Sequence, residues 1–280
     1  MELERQIPAV AEWLRQARSA IVLTGAGVSA ESGIPTFRDA RTGLWARYDP
    51  MKLASPEGFA ADPGLVWRWY MERLRGLAAA TPNAGHHALA GLESLLGTVT
   101  IYTQNVDDLH ERAGSRQVFH LHGRIDAFRC HRCHEPYRQQ TFNPGSQVGS
   151  PKGFGAQPGV GELEARVPAI AEAGEPPRCA CGGLVRPDVV WFGERLPEAV
   201  LERAWEDAAA CQVMIVAGTS GEVYPAAALP RLARERGARV IDVNPEPGPI
   251  AEIADCPLRG PSGVILPRIL TALWAGSADA

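Results

Sequence analysis

Ile21-Val22-Leu23-Thr24-Gly25-Ala26-Gly27-Val28-Ser29-Ala30 is the stretch that decides the fold. Its first three residues form an apolar run too short for a helix, and glycines follow at once. Such a run reads as a buried parallel strand. Gly25-x-Gly27-x-x-Ala30 is a variant of the dinucleotide-binding fingerprint. Its glycines would let the backbone approach a pyrophosphate, and backbone N–H groups would meet the charge. Taken alone the match fits a tight turn equally well.

Working outward, Val99–Tyr102, Val118–Leu121, Val213–Ala217 and Val240–Val243 repeat the same character. Amphipathic patterns at 3–18, 84–96 and 198–210 lie before or between them. Strands alternating with helices predict an α/β fold with a parallel sheet. The 280 residues suffice for one large domain and a small insert. A disordered chain is excluded by 45% hydrophobic and 21% charged residues. No run approaches the ~18 apolar residues of a membrane span. No signal-peptide core is seen in the first ten residues, so a cytoplasmic location is expected. A net charge of −4 argues against nucleic acid as a partner.

Four of the six cysteines form two close pairs, Cys130-x-x-Cys133 and Cys179-x-Cys181. Four thiolates suit one structural Zn²⁺, although the second pair is tighter than the usual spacing. His131 and His134 are possible substitutes for one ligand. Cys211 and Cys256 stand alone and read as packing. Between the pairs, 13 of the 37 residues from Thr141 to Pro177 are Gly or Pro, with one helix possible over 162–173. We therefore expect an α/β body of residues 1–122 and 186–280, interrupted by a zinc-binding module at 123–185.

Polar residues after strands face the ligand crevice of an open α/β sheet. Thr103-Gln104-Asn105-Val106-Asp107 follows one strand and Gly218-Thr219-Ser220 another, while Asn244 ends a third. The first of these also reads as a helix cap. In His120-Leu121-His122-Gly123, alternation would point both histidines the same way, and His122 could accept a proton near neutral pH. Arg186-Pro187-Asp188-Val189-Val190-Trp191-Phe192-Gly193-Glu194 is extended and could pair with a peptide backbone or form a core strand. A hydride-transfer dehydrogenase would carry a second strand tipped by an acid ~20 residues past the glycines. Asp49 stands at that distance, but no apolar strand precedes it.

Seven stretches together resemble the sirtuins, in that family's order: residues 25–39, 103–114, 120–123, the four cysteines, 186–194, 218–220 and 243–247. The resemblance implies a Rossmann-like domain, a small zinc domain and a cleft holding NAD and an acylated lysine. It implies that Gly25, Ala26, Gly27, Ser29, Phe37 and Arg38 line the NAD site. Gln104, Asn105 and Asp107 would surround the nicotinamide ribose. Gly218, Thr219, Ser220, Asn244, Glu246 and Ser262 would hold the adenosine half. Asn105 and His122 would be catalytic, with His122 the base, and Val190, Phe192, Gly193 and Glu194 would pair with the peptide. NAD would be consumed, giving nicotinamide, O-acyl-ADP-ribose and free lysine. The partners would be acyl-lysine proteins, with a monomer the simplest state.

Tyr70 and Arg73 lie three apart in a helical pattern, so they are neighbours on one face. A phenol and a guanidinium together can bind a carboxylate. The pair resembles the motif of the deacetylase/desuccinylase branch of the sirtuins, which implies succinyl and malonyl substrates beside acetyl. The alternatives are a plain deacetylase, an NAD-dependent ADP-ribosyltransferase and a non-catalytic NAD-binding module.

Overall fold

A computed structural model describes residues 2–36, 49–96, 99–137 and 174–277. In chain order its elements are α1 (Glu2–Gln16), β1 (Ala20–Thr24), α2 (Ala26–Ser29) and a 3-10 turn at Ala30–Ser32. Next come α3 (Pro50–Leu53), α4 (Pro56–Ala61), α5 (Pro63–Ala79), α6 (Ala84–Leu96), β2 (Val99–Thr103), α7 (Leu109–Arg112) and β3 (Val118–His120). The two-stranded part follows, β4 (Gly123–Cys130) and β5 (Val185–Val189). The chain continues with α8 (Glu198–Ala210), β6 (Val213–Ala217), a 3-10 turn at Ala226–Ala228, α9 (Leu229–Glu235), β7 (Arg239–Asn244), β8 (Cys256–Arg259) and α10 (Ser262–Ser277).

Six strands form one parallel sheet in the order β3-β2-β1-β6-β7-β8. Side chains alternate across a strand, and the packing follows this rule. Ala20 and Val22 join Val213, Ile215, Ile241 and Val243 on the face covered by α1, α6 and α10. Ile21 and Leu23 join Met214, Val216 and Val240 on the face covered by α8 and α9. Burial on both faces explains why β1 and β6 read as unbroken apolar runs.

β4 and β5 form a separate antiparallel pair, whose Ile125, Val185 and Val189 pack against α5. Short helices lead into α5, each started by a side-chain cap: Asp49 accepts from Met51 N, Ser55 from Gly58 N and Asp62 from Leu65 N. Asp49 thus serves as a helix cap rather than as an acid at a strand tip. The strand predicted over Val118–Leu121 ends at His120, because the chain turns at Leu121 and His122. Residues 138–173, including the helix expected at 162–173, lie outside the described residues. Among the described residues no helix is long and apolar enough to cross a membrane.

Candidate active site

The strand register assembles the site. Thr24, Thr103 and His120 stand side by side at the carboxyl edge, as do Thr24, Ala217 and Val243. The residues that follow, Gly25, Gln104, Leu121, Gly218 and Asn244, therefore gather at one edge. The strand order reverses at β1, between β2 and β6, and ligands of open α/β sheets bind at such a switch point. A cleft of about 1020 Å³ opens there.

Its floor is backbone against backbone. Gly27 N donates to Gly218 O at 2.8 Å, and Gly25 N to Ala217 O at 3.1 Å. A methyl group on Gly27 would lie 2.7 Å from Gly218 Cα, and one on Gly25 would lie 2.8 Å from Gly218 O. Gly218 itself has φ 63°. The glycines thus let the loops after β1 and β6 touch, leaving a bare cradle in the cleft floor.

Gln104, Asn105 and His122 line this cleft, as do Gly25, Ala26, Gly27, Gly218, Thr219, Ser220, Asn244, Glu246 and Ser262. Gln104 Nε2 donates to Thr219 Oγ1 at 2.8 Å, tying the β2 and β6 loops together. Ser29 and Asp107 lie behind the wall, and both are buried. Phe37 and Arg38 lie outside the described residues.

Behind the wall sits a polar network that the sequence did not disclose. Asn83 N donates to His86 Nδ1, so His86 carries its proton on Nε2, which faces Ser29 Oγ at 3.4 Å. Ser29 Oγ donates to Asp107 Oδ2 at 3.1 Å and accepts from Asn105 Nδ2 at 3.1 Å. Thr24 Oγ1 donates to Thr103 Oγ1 and meets His110 Nε2 at 2.9 Å. Burial holds both histidines neutral, His86 at about 4 and His110 at about 3. Burial also raises the Asp107 carboxyl, against the Leu109 N–H and Ser29 bonds that lower it.

The two histidines of the His-Leu-His stretch do different work. His122 Nδ1 lies 3.0 Å from Gln104 O. A carbonyl only accepts, so Nδ1 carries the proton and Nε2 keeps its lone pair. Burial lowers the His122 pKa, and the Gln104 bond opposes that. His120 Nδ1 reaches Asn105 O at 3.0 Å, and its Nε2 reaches Glu111 Oε1 at 2.8 Å. Glu111 also accepts from Arg124, which clamps Asp126 through two bonds. Burial raises the Glu111 carboxyl, but the His120 hydrogen bond and the charges of His120 and Arg124 hold it at about 2. The expected shared direction of the two rings fails because β3 has ended before His122.

Tyr70 and Arg73 of α5 also line the cleft. The Arg73 guanidinium carbon lies 4.6 Å from the Trp69 ring centre and 5.6 Å from that of Tyr70. Burial lowers the Arg73 pKa, opposed by Tyr70 and Asp107, and burial raises that of Tyr70, opposed mainly by Arg73. Tyr70 Oη accepts from Trp191 Nε1 at 2.9 Å.

Val190, Phe192, Gly193 and Glu194 also border the cleft. The N–H groups of Val190, Phe192 and Glu194 are already bonded, to His122 O, Ala54 O and Trp191 O. The Glu194 carboxylate is gripped by Arg186 through two bonds of 2.6 and 2.9 Å. Its pKa stays low despite burial because of that pairing. Glu194 thus holds the loop in shape.

The ligand-set expectation is met at a distance from this chemistry. The sulfurs of Cys130, Cys133, Cys179 and Cys181 lie within 4.8 Å of one another, with Cys130–Cys181 at 3.5 Å and Cys133–Cys179 at 3.8 Å. A tetrahedral zinc with Zn–S bonds of about 2.3 Å needs sulfur separations of about 3.8 Å. The set fits one zinc and leaves no open position, so neither His131 nor His134 is needed as a substitute. The His131 ring instead lies against Phe59, 5.1 Å between centres. Cys211 and Cys256 are buried, with thiols pushed up by burial to about 12 and 11, as inert packing residues would be.

Comparison with known proteins agrees with this geometry. The Sir2 family model matches residues 25–225. A relative from Pseudomonas aeruginosa, NAD-dependent protein deacylase 1, is 49% identical over 269 residues, covering 96% of this chain and 99% of the relative. Among solved structures, a Sir2 homologue–NAD complex superposes with TM-score 0.78 at 42% identity, over 98% of this chain and 94% of that one. Sir2Af2 bound to a myristoylated histone peptide gives TM-score 0.74 at 35% identity, over 99% and 100%.

Proposed function

The chain belongs to the Sir2 family, and we propose from its cleft that it is an NAD-dependent protein-lysine deacylase tuned to acidic acyl groups. The deacylase activity follows from the family and from relatives that carry that name. The acidic preference rests on one observation: Tyr70 and Arg73 line the same cleft as His122.

NAD supplies an electrophilic ribose C1′, nicotinamide as leaving group and ribose hydroxyls as the acyl acceptor. In this reading the glycine cradle of Gly25, Gly27 and Gly218 receives the phosphates, because no side chain stands between the backbone and the ligand. Gln104 and Asn105 hold the nicotinamide ribose. Asn105 is oriented by Ser29, which leaves its Oδ1 for a ligand. Ser220, Asn244, Glu246 and Ser262 border the adenosine half, and family resemblance assigns Phe37 and Arg38 to the NAD site. The acyl oxygen would replace nicotinamide at C1′; His122 Nε2 would accept the proton of a ribose hydroxyl, whose oxygen would attack the acyl carbon, and one water would complete release of free lysine and O-acyl-ADP-ribose. Much of the acceleration comes from holding acyl oxygen and C1′ together away from water. Arg73 meets the distal carboxylate of a succinyl or malonyl group with a charge-assisted bond, and Tyr70 donates a second. The four cysteines hold zinc, which stiffens the β4–β5 module and does no chemistry.

The division into a body of residues 1–122 and 186–280 and a module of 123–185 belongs to this reading, with β5 straddling the boundary. So do a monomeric state, a cytoplasmic location and no nucleic-acid partner. The cluster of reduced cysteines fits a reducing compartment.

The test compares three peptides that differ only in an acetyl, malonyl or succinyl group on one lysine. Wild type and Arg73→Met are followed by mass spectrometry with and without NAD. We expect the acidic groups to react faster and to lose that advantage in Arg73→Met. Preference for acetyl, unchanged in Arg73→Met, would leave a plain deacetylase. NAD cleavage without peptide turnover would point to ADP-ribosyl transfer.

A further inference from the structure

Trp191 belongs to the 190–194 loop that borders the cleft, and its side chain is buried. Its indole is held on several sides. The Arg186 guanidinium carbon lies 3.3 Å from the ring centre. Phe59 packs at 5.3 Å, and His131 of the cysteine knuckle at 6.2 Å. Arg186 is itself fixed by its two bonds to Glu194 and by the carbonyls of Pro187 and Val189. Trp191 N also donates to Glu194 Oε2 at 2.9 Å. The indole therefore has little freedom to turn.

This rigid ring aims its single donor, Nε1–H, at Tyr70 Oη, 2.9 Å away. Indole nitrogen can donate but not accept, so the polarity of this bond is fixed. The phenol oxygen must accept there, and its own proton must lie elsewhere. Tyr70 makes no second hydrogen bond among the described residues, and it lines the cleft beside Arg73. An oxygen that accepts one hydrogen bond is also a stronger donor in the next. The cation on the indole face draws density from the ring and sharpens the N–H.

We propose that Trp191 is a specificity-determining residue: by donating to the Tyr70 oxygen it turns the Tyr70 hydroxyl proton toward the carboxylate of an acidic acyl group. Without that bond the hydroxyl is free to rotate and can present a lone pair to the carboxylate, which repels it. An acetyl group has no atom at that depth and is indifferent to the rotor. The inference rests on the acidic-acyl reading above and adds to it a residue that acts through the Tyr70 hydroxyl.

A double-mutant cycle tests it. Wild type, Trp191→Phe, Tyr70→Phe and the double variant are compared for kcat/KM on succinyl and acetyl forms of one peptide. Trp191→Phe keeps an aromatic ring under Arg186 while removing the donor and part of the buried ring, and the cycle with Tyr70→Phe separates the two losses. We expect the succinyl-to-acetyl ratio to fall about tenfold, equivalent to about 1.4 kcal/mol. In the Tyr70→Phe background the same substitution should change the ratio little, because its target is gone. Should Trp191→Phe not fold, Trp191→Leu closes the same cycle, and acetyl-peptide turnover reports that the fold survives. If Trp191→Phe lowers both substrates equally, or if its effect on the ratio simply adds to that of Tyr70→Phe, the inference is wrong and Trp191 only packs. If Tyr70→Phe and Arg73→Met themselves leave the ratio unchanged, the acidic-acyl reading has failed, and this inference falls with it.

Discussion

His122 Nδ1 stands 3.0 Å from the carbonyl oxygen of Gln104, and that bond decides which ring nitrogen is basic. With Nδ1 protonated, Nε2 is the proton acceptor. In its proposed role as base His122 works only when neutral, and burial lowers its pKa. The acid limb of kcat/KM against pH is therefore expected below the ordinary histidine value of about 6.5, with a plateau at neutral pH. His122→Ala should reduce turnover by about 10²–10⁴-fold, the usual worth of a general base. A limb centred above 6.5, or a variant that retains most activity, would remove His122 from this role.

Stability should also fall in acid, for a different reason. His86 and His110 titrate near 4 and 3 in the folded chain, against about 6.5 unfolded. Between those values the unfolded state binds more protons, so stability is full above pH 6.5 and drains away as pH falls toward 4 and 3. Urea midpoints at pH 7.5 and 5.0 should differ clearly in the wild type. The gap should narrow in His110→Asn. Equal gaps would show that other groups carry the acid sensitivity.

The cysteine cluster predicts one zinc per chain. Elemental analysis should find it, and a strong chelator should lower the melting temperature and weaken peptide turnover together. Cys133→Ser should act in the same direction. Full activity in metal-free protein would refute the structural role.

Much of this arrangement was legible because it is local. A short β-branched run followed by glycine marks a parallel strand wherever it occurs, and the parallel register then brings residues 24, 103, 120, 217 and 243 to one edge. The cysteine pairs declared themselves by spacing. What stayed hidden was non-local or depended on where a strand stops. Ser29 and Asp107 seemed to be wall residues, but Ser29, at the end of the short α2, turns inward to meet Asn105, Asp107 and His86. His86 and His110 sit in helices whose pattern gives no sign that their rings meet at 4.9 Å. Tyr70 and Trp191 are 121 residues apart, and only the packing of α5 on β5 joins them. His120 and His122 were expected to point the same way, but β3 ends at His120, two residues short of the second.

The place where β3 gives way to β4 has a mechanical meaning. The outgoing chain leaves the large sheet through Leu121, His122 and Gly123, and the returning chain is stapled to it there, with Val190 N bonded to His122 O at 2.9 Å. Gly123 has φ 71°, and a methyl group on it would lie 2.0 Å from Asp188 O, so the two passes of chain are pressed together. His122 thus sits at the root of the β4–β5 arm, where the chain is pinned on both passes. A lever moves least at its pivot, so a pinned root keeps the His122 ring close to the glycine cradle however the far end of the arm is loaded.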